Sequence, residues 1–116
     1  MSIEKGQKGI KYFMYCRRSS DTEDKQVQSI DAQKRELGDF AKENGLEVIE
    51  IFEESQSAKA PGRPIFTKMI ERINNGEAGG LLVWKLNRLA RNPIDGGTIN
   101  WMLQQKIIKH IQTYKY

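Results

Sequence analysis

Short aromatic and apolar runs alternate along this chain with longer stretches whose apolar residues recur at helical spacing, and few folds accept that alternation. "KYFMYC" reads as a buried strand, and "SIDAQKRELGDFAKENG" then carries Ile30, Gln33, Leu37 and Phe40 or Ala41 at helical intervals before stopping at Asn44-Gly45. The unit recurs. "LEVIEIF" is a second strand; "PIFTKMIERINNG" is a helix with Pro64 in its first turn and Gly76 past its end; "GLLVWKL" is a third strand. A further helix is expected from about Pro93 to Gln105, carrying Ile94, Trp101 and Met102, and a strand begins near Ile107. The pattern predicts a three-layer α/β/α domain around a mostly parallel sheet.

At 116 residues the chain is sufficient for one domain with one core. Residues 1–9 are expected to be a flexible lead and 10–116 the domain, with the ending "IIKHIQTYKY" reading as a strand still in progress. That ending suggests a domain cut from something longer. A formal charge of +4 permits association with polyanions without requiring it. Cys16 is the single cysteine, which excludes an intrachain disulfide and a cysteine-rich zinc site. The start "MSIEKGQKG" lacks the apolar segment of a signal peptide, and no apolar run approaches the ~20 residues of a membrane span. A soluble, cytoplasmic protein is the expectation.

Open parallel sheets place their sites outside the carboxyl ends of the strands, so the polar residues there are the candidates. The first strand delivers Arg17, Arg18, Ser19 and Ser20; the second delivers Glu53, Glu54, Ser55 and Ser57; the third delivers Lys85, Asn87, Arg88 and Arg91. Alternation sends Tyr12, Met14 and Cys16 to one face and Phe13, Tyr15 and Arg17 to the other, so Arg17 and Ser19 leave on the same side. A guanidinium fork suits phosphate oxygens, and a serine two residues on could attack phosphorus; the plainer reading is a surface arginine beside a turn-forming hydroxyl.

"WKLNRLARN" bears on that choice. If a helical turn follows Leu86, Arg88 and Arg91 stand three apart and present neighbouring guanidinium groups, with Leu86, Leu89 and Ala90 as the anchoring side. Such a pair beside Lys85 calls for an anion, and a phosphate diester fits, although a solvated basic face has the same spacing. Arg63 stands directly before the proline that opens the second helix, after a loop of small residues with Lys59. Gln33 occupies an otherwise apolar stripe, which places it at the core edge or turns it toward polar partners near the strand ends.

Together these segments resemble the catalytic domain of the serine recombinases, the family of resolvases, invertases and large integrases. "YCRRSS" is similar to the family's Tyr-x-Arg-x-Ser start, "QSIDAQ" to its Gln-Ser-x-x-x-Gln element, "SAKAPGRPIF" to its loop and helix start, and "WKLNRLARN" to its Arg-x-x-Arg motif. The resemblance implies Ser19 as nucleophile and Arg17, Arg63, Arg88 and Arg91 as phosphate-binding arginines. It further implies Gln28, Gln33, Glu53, Ser57 and Asn87 as supporting residues, with Glu53 and Asn87 where the family usually has aspartate. An amide at Asn87 keeps size and hydrogen-bond acceptance but cannot exchange a proton as a general acid or base.

The implied activity is site-specific recombination through a covalent 5′-phosphoserine, with a double-stranded DNA site as partner and a homodimer and synaptic homotetramer as assemblies of the parent. No cofactor, metal or membrane is implied. Two other readings stand beside it: a DNA nicking-closing enzyme, and a regulatory or structural α/β domain that binds a phosphate-containing ligand without chemistry. The absence of Gly-x-Gly-x-x-Gly and of a Gly-Lys-Ser/Thr loop disfavours dinucleotide binding and nucleotide hydrolysis.

Overall fold

The computed structural model describes residues 9–18, 29–55 and 61–114. In chain order the elements are β1 (Lys11–Arg17), α1 (Ile30–Asn44), β2 (Glu47–Glu54), α2 (Pro64–Asn74), β3 (Gly80–Val83), α3 (Leu86–Leu89), α4 (Pro93–Gln104) and β4 (His110–Thr113). The strands form one sheet in the order β2-β1-β3-β4, and every pairing is parallel. The chain winds outward from β1 to β2, then crosses back over β1 to β3. Because strand crossovers are right-handed, that reversal sends successive helices to opposite faces.

The two cores follow from this winding. Tyr12, Met14 and Cys16 pack with Leu37 and Ala41 of α1 on one face. Phe13 and Tyr15 pack on the other with Phe66, Met69 and Ile73 of α2 and Ile99 and Met102 of α4. The predicted three layers are present. Central strands covered on both faces must be apolar throughout, and β3 is buried at each of its residues. Gly80 is required there, because a Cβ at that position would stand 2.5 Å from the Tyr12 ring.

Local signals set the helix ends. Ser29 accepts from the Ala32 N–H at 3.1 Å to cap α1, and Gly45 closes it with a left-handed φ of 70°. Two predicted strands are shorter than expected. The third stops at Val83; Trp84 still packs on the same face as Leu82, stacked on Tyr114 with ring centroids 4.5 Å apart, and Lys85 then precedes a helical turn. The last begins at His110 rather than near Ile107, because the Ile107 and Ile108 N–H groups bond back to Met102 O and close α4. Leu86, expected as an apolar anchor of its turn, is 55% exposed; Leu89, at 2%, anchors it, with Ala90 half-buried.

β4 is joined to the centre of the sheet through His110, whose Nδ1 shares a hydrogen bond with Tyr12 Oη beneath an edge-on ring contact. Burial lowers the His110 pKa below its ordinary value of 6.5. The unfolded chain therefore binds this proton more readily than the native state. The contribution to stability is present above the unfolded pKa and is lost as pH falls through it toward the lower native value. Urea midpoints measured between pH 7.5 and about 5 should decline through a component that His110→Gln removes; an unchanged slope in that variant would contradict the assignment.

Candidate active site

The strand order reverses between β1 and β3, and the carboxyl ends of these strands and of β2 carry the polar cluster. Its organising fact is burial. Arg17, Arg63 and Arg88 are 0%, 2% and 7% exposed, and Arg91 is half-buried. Buried guanidinium groups demand partners, and β1, α3 and α4 supply acceptors for them.

Arg17 ends β1. Its Nε donates to the Arg88 carbonyl at 2.9 Å, joining the first strand to α3. Its main chain presents a separate problem. Alternate residues of a parallel strand bond to opposite neighbours, and Arg18 N–H bonds to Glu54 O of β2 at 3.0 Å. Arg17 therefore turns its own N–H and C=O toward β3, whose pairing with β1 has already ended at Tyr15 and Val83. Gln33 of α1 takes the place of the missing strand. Its Oε1 accepts from Arg17 N at 3.3 Å and its Nε2 donates to Arg17 O at 3.0 Å. This explains the glutamine on an apolar stripe.

Arg63 stands at the start of α2. It donates from Nη1 to Tyr15 Oη at 2.9 Å, and from Nη2 to Leu89 O at 2.7 Å and Asp95 Oδ2 at 2.9 Å. Its guanidinium carbon lies 4.0 Å from the centroid of the Phe66 ring. Tyr15 Oη in turn donates to Glu54 Oε1, and that carboxylate also accepts from the N–H groups of Ile65 and Phe66 at 2.9 Å each. Glu54 thereby caps α2 from a neighbouring strand, where a helix N-terminus favours negative charge. Burial first, and then the bond to Glu54, raise the Tyr15 pKa far above the ordinary phenol value, so Tyr15 remains a neutral donor.

Glu53 and Glu54 have different surroundings. Glu53 projects to the α1 side, where it pairs with Lys34 at 2.7 Å and is about half exposed at its side chain. There it also contributes, after burial, to pushing the Cys16 thiol up to about 12. Arg17 and Arg63 face the other side, with Glu54. Asn87 is exposed on α3, beside the equally exposed Lys85. Ser19, Gln28 and Ser57 lie outside the described residues. The structure thus brings together Arg17, Arg63, Arg88 and Gln33, with Arg91 in the next segment, and leaves Glu53 and Asn87 at the surface.

Sequence reasoning overlooked Tyr15, Asn92 and Asp95 as members of this network, and of the two carboxylates it placed at the second strand end it took Glu53, not Glu54, as the supporting residue. One signal was legible: Asn92-Pro93-x-Asp95 has the form of a helix start, and Asn92 Oδ1 does accept from Asp95 N at 2.9 Å. Among the buried described residues, three arginines face two carboxylates, Glu54 and Asp95, which leaves a formal charge of +1 before Arg91 is counted. The site favours an anion. No group of three or more His, Cys, Asp or Glu side chains able to hold a metal occurs among the described residues.

This fold and arginine cluster define an α/β domain of the resolvase type. The profile of the family described as "Resolvase, N terminal domain" matches residues 12–112. The chain belongs to this family, that of serine recombinase catalytic domains. Among solved structures it is similar to a resolvase family site-specific recombinase from Streptococcus pneumoniae, with 29% identity and a TM-score of 0.66 over 90% of this chain and 72% of that one. The N-terminal catalytic domain of TP901-1 integrase gives 27% identity and a TM-score of 0.68 over 88% of this chain and 75% of that one. The catalytic domain of ISC1926 TnpA, an IS607-like serine recombinase, shares the fold at 20% identity and a TM-score of 0.74, over 91% and 71% of the two chains. No curated protein matches the chain. No helix among the described residues is long and apolar enough to cross a membrane.

Gln33→Leu should preserve the size of the side chain while stripping Arg17 of both main-chain partners. Each buried group so orphaned costs about 1–3 kcal/mol. Urea unfolding should show a loss of that order, with accelerated amide exchange at Arg17; a variant as stable as the parent protein would refute the clamp.

Proposed function

We propose that this chain is the catalytic domain of a site-specific DNA recombinase in which Ser19 is the nucleophile. The observation that carries this reading is the convergence of Arg17 and Arg88, with Arg91 following, at the strand-order reversal beside an excess of buried positive charge. Ser19 follows Arg18, whose N–H extends the β1–β2 ladder. The Ser19 oxygen attacks a DNA phosphorus, forming the Oγ–P bond and breaking the bond to the 3′ oxygen. The serine proton is lost and the departing 3′ oxygen gains one, so that a 5′-phosphoserine and a free 3′ hydroxyl result. Bond energy is retained for rejoining to another end.

Arg88 and Arg91 are directed at the non-bridging oxygens, whose charge grows in the transition state. Arg17 supports them through the Arg88 carbonyl, and Gln33 fixes Arg17. Gln28 and Ser57 are proposed to arrange the loops around Ser19, Asn87 to border the site from the surface, and Glu53 to support the strand end from the α1 side, where it pairs with Lys34. Asn87 cannot move a proton, so proton transfer is assigned to other groups. The parent acts on a double-stranded recombination site in the cytoplasm as a homodimer that pairs into a synaptic homotetramer.

A nicked duplex that traps the covalent intermediate tests the chemistry. The protein should form an adduct at the 5′ end, Ser19→Ala should form none, and Arg88→Ala should slow adduct formation about 10²–10³-fold, as for loss of one preorganised donor. An undiminished adduct in Ser19→Ala would overturn the assignment of the nucleophile. Adducts that reseal without exchanging partners would identify a nicking-closing enzyme instead.

A further inference from the structure

Arg63 is matched by motif to the phosphate-binding arginines, yet three of its five N–H hydrogens, both of those on Nη2 among them, are committed elsewhere, and Nε is buried without a hydrogen-bond partner among the described residues. A guanidinium can grip a phosphate through two forks, one formed by Nη1 and Nη2 and the other by Nε and Nη2. Nη2 belongs to both. Its two hydrogens already go to Leu89 O at 2.7 Å and Asp95 Oδ2 at 2.9 Å, while Nη1 donates to Tyr15 Oη. The side chain is 1% exposed and lies over the Phe66 ring. Its charge is offset locally by the Asp95 carboxylate.

The two acceptors of Nη2 bracket the segment that matters. Leu89 is the last residue of α3, and Asp95 lies in the first turn of α4; Ala90, Arg91 and Asn92 are strung between them. α3 is a single turn, so its terminal carbonyls lack helical partners. Two successive ones are taken by guanidinium groups, Arg88 O by Arg17 Nε and Leu89 O by Arg63 Nη2. At the far end Asp95 is itself held, through Asn92 Nδ2 to Oδ2 at 2.8 Å and Asn92 Oδ1 to its N–H.

We propose that Arg63 is a positioning residue and not a phosphate ligand, and that Asp95 acts through it to fix the segment carrying Arg88 and Arg91. The purpose of that segment rests on the recombinase reading; the clamp itself does not. Arg63 fastens both ends of the Leu89–Asp95 span, and the arginine between them is thereby held in one orientation. Substitution of Asp95 releases one end and leaves the guanidinium bonded to Tyr15 and Leu89 alone.

Amide exchange tests the clamp without any demand for activity. In Asp95→Ala the Ala90 amide, bonded to Leu86 O, should exchange about tenfold or more faster while Met14 and Leu82 in the sheet keep their protection. Asp95→Asn, which retains an acceptor oxygen for Arg63, should restore most of it. Unchanged exchange at Ala90 in Asp95→Ala overturns the proposal. A double substitution separates positioning from contact. Arg63→Ala should slow adduct formation on the nicked duplex but add clearly less in an Arg91→Ala background; a full, additive loss there would make Arg63 a phosphate ligand in its own right and overturn the proposal. If Ser19→Ala and the unsubstituted protein behave alike on that duplex, the recombinase reading falls, and Ala90 exchange still decides the clamp.

Discussion

Three guanidinium groups are buried at one end of a parallel sheet, and the arrangement of that end follows from the need to partner them. Removing a charge from water costs several kcal/mol unless other groups replace the lost hydration. Replacements come from wherever the chain can supply an acceptor: the carbonyls of Arg88 and Leu89, the hydroxyl of Tyr15 and the carboxylate of Asp95. Each bond ties an element to one that is distant in sequence. β1 is thereby joined to α3, and the start of α2 to both α3 and α4. Apolar packing places the helices on the sheet, whereas these bonds fix how their ends meet.

The same requirement explains two carboxamide and carboxylate side chains that act far from their own elements. Gln33 leaves α1 to complete the ladder of Arg17 where β3 has run out. Glu54 leaves β2 to cap α2, whose own residue at that position, Arg63, makes no capping bond. Both remove orphaned main-chain groups from a region with little access to solvent. A rigid site results, and rigidity suits electrostatic catalysis because donors already in place need not reorganise as charge develops.

The alternation of strands and helices was legible because periodicity reports which face of an element is covered, and burial on both faces of β1 and β3 leaves an unmistakable apolar run. The candidate arginines were legible because they follow strand ends. Less visible was the parity of the second strand's end. Glu53 and Glu54 are adjacent and chemically similar, and a single step in register sends one to Lys34 at the surface and the other into the arginine network. The strand contains an irregularity, with Tyr12 opposite Val48 and Phe13 opposite Glu50, so that Ile49 is an extra residue. Counting by twos from its beginning therefore gives the wrong face at its end. Asp95 escaped notice for a different reason: its role depends on an arginine 32 residues away, which no local pattern records.

Arginines that look equivalent in a motif are separated by the hydrogens they still have to offer. Arg17 uses Nε on a carbonyl and has its main chain held by Gln33. Arg63 uses the nitrogen common to both of its forks and is closed over by Phe66. Charge alone would make each a phosphate ligand, and conservation of charge would be the criterion for replacing it. Geometry imposes a stricter one. A lysine in place of Arg63 would keep the charge but present a single tetrahedral ammonium to acceptors from β1, α3 and α4 that are spread around a planar fork. The position requires the shape of the guanidinium more than its charge, as expected of a group that holds other residues in place.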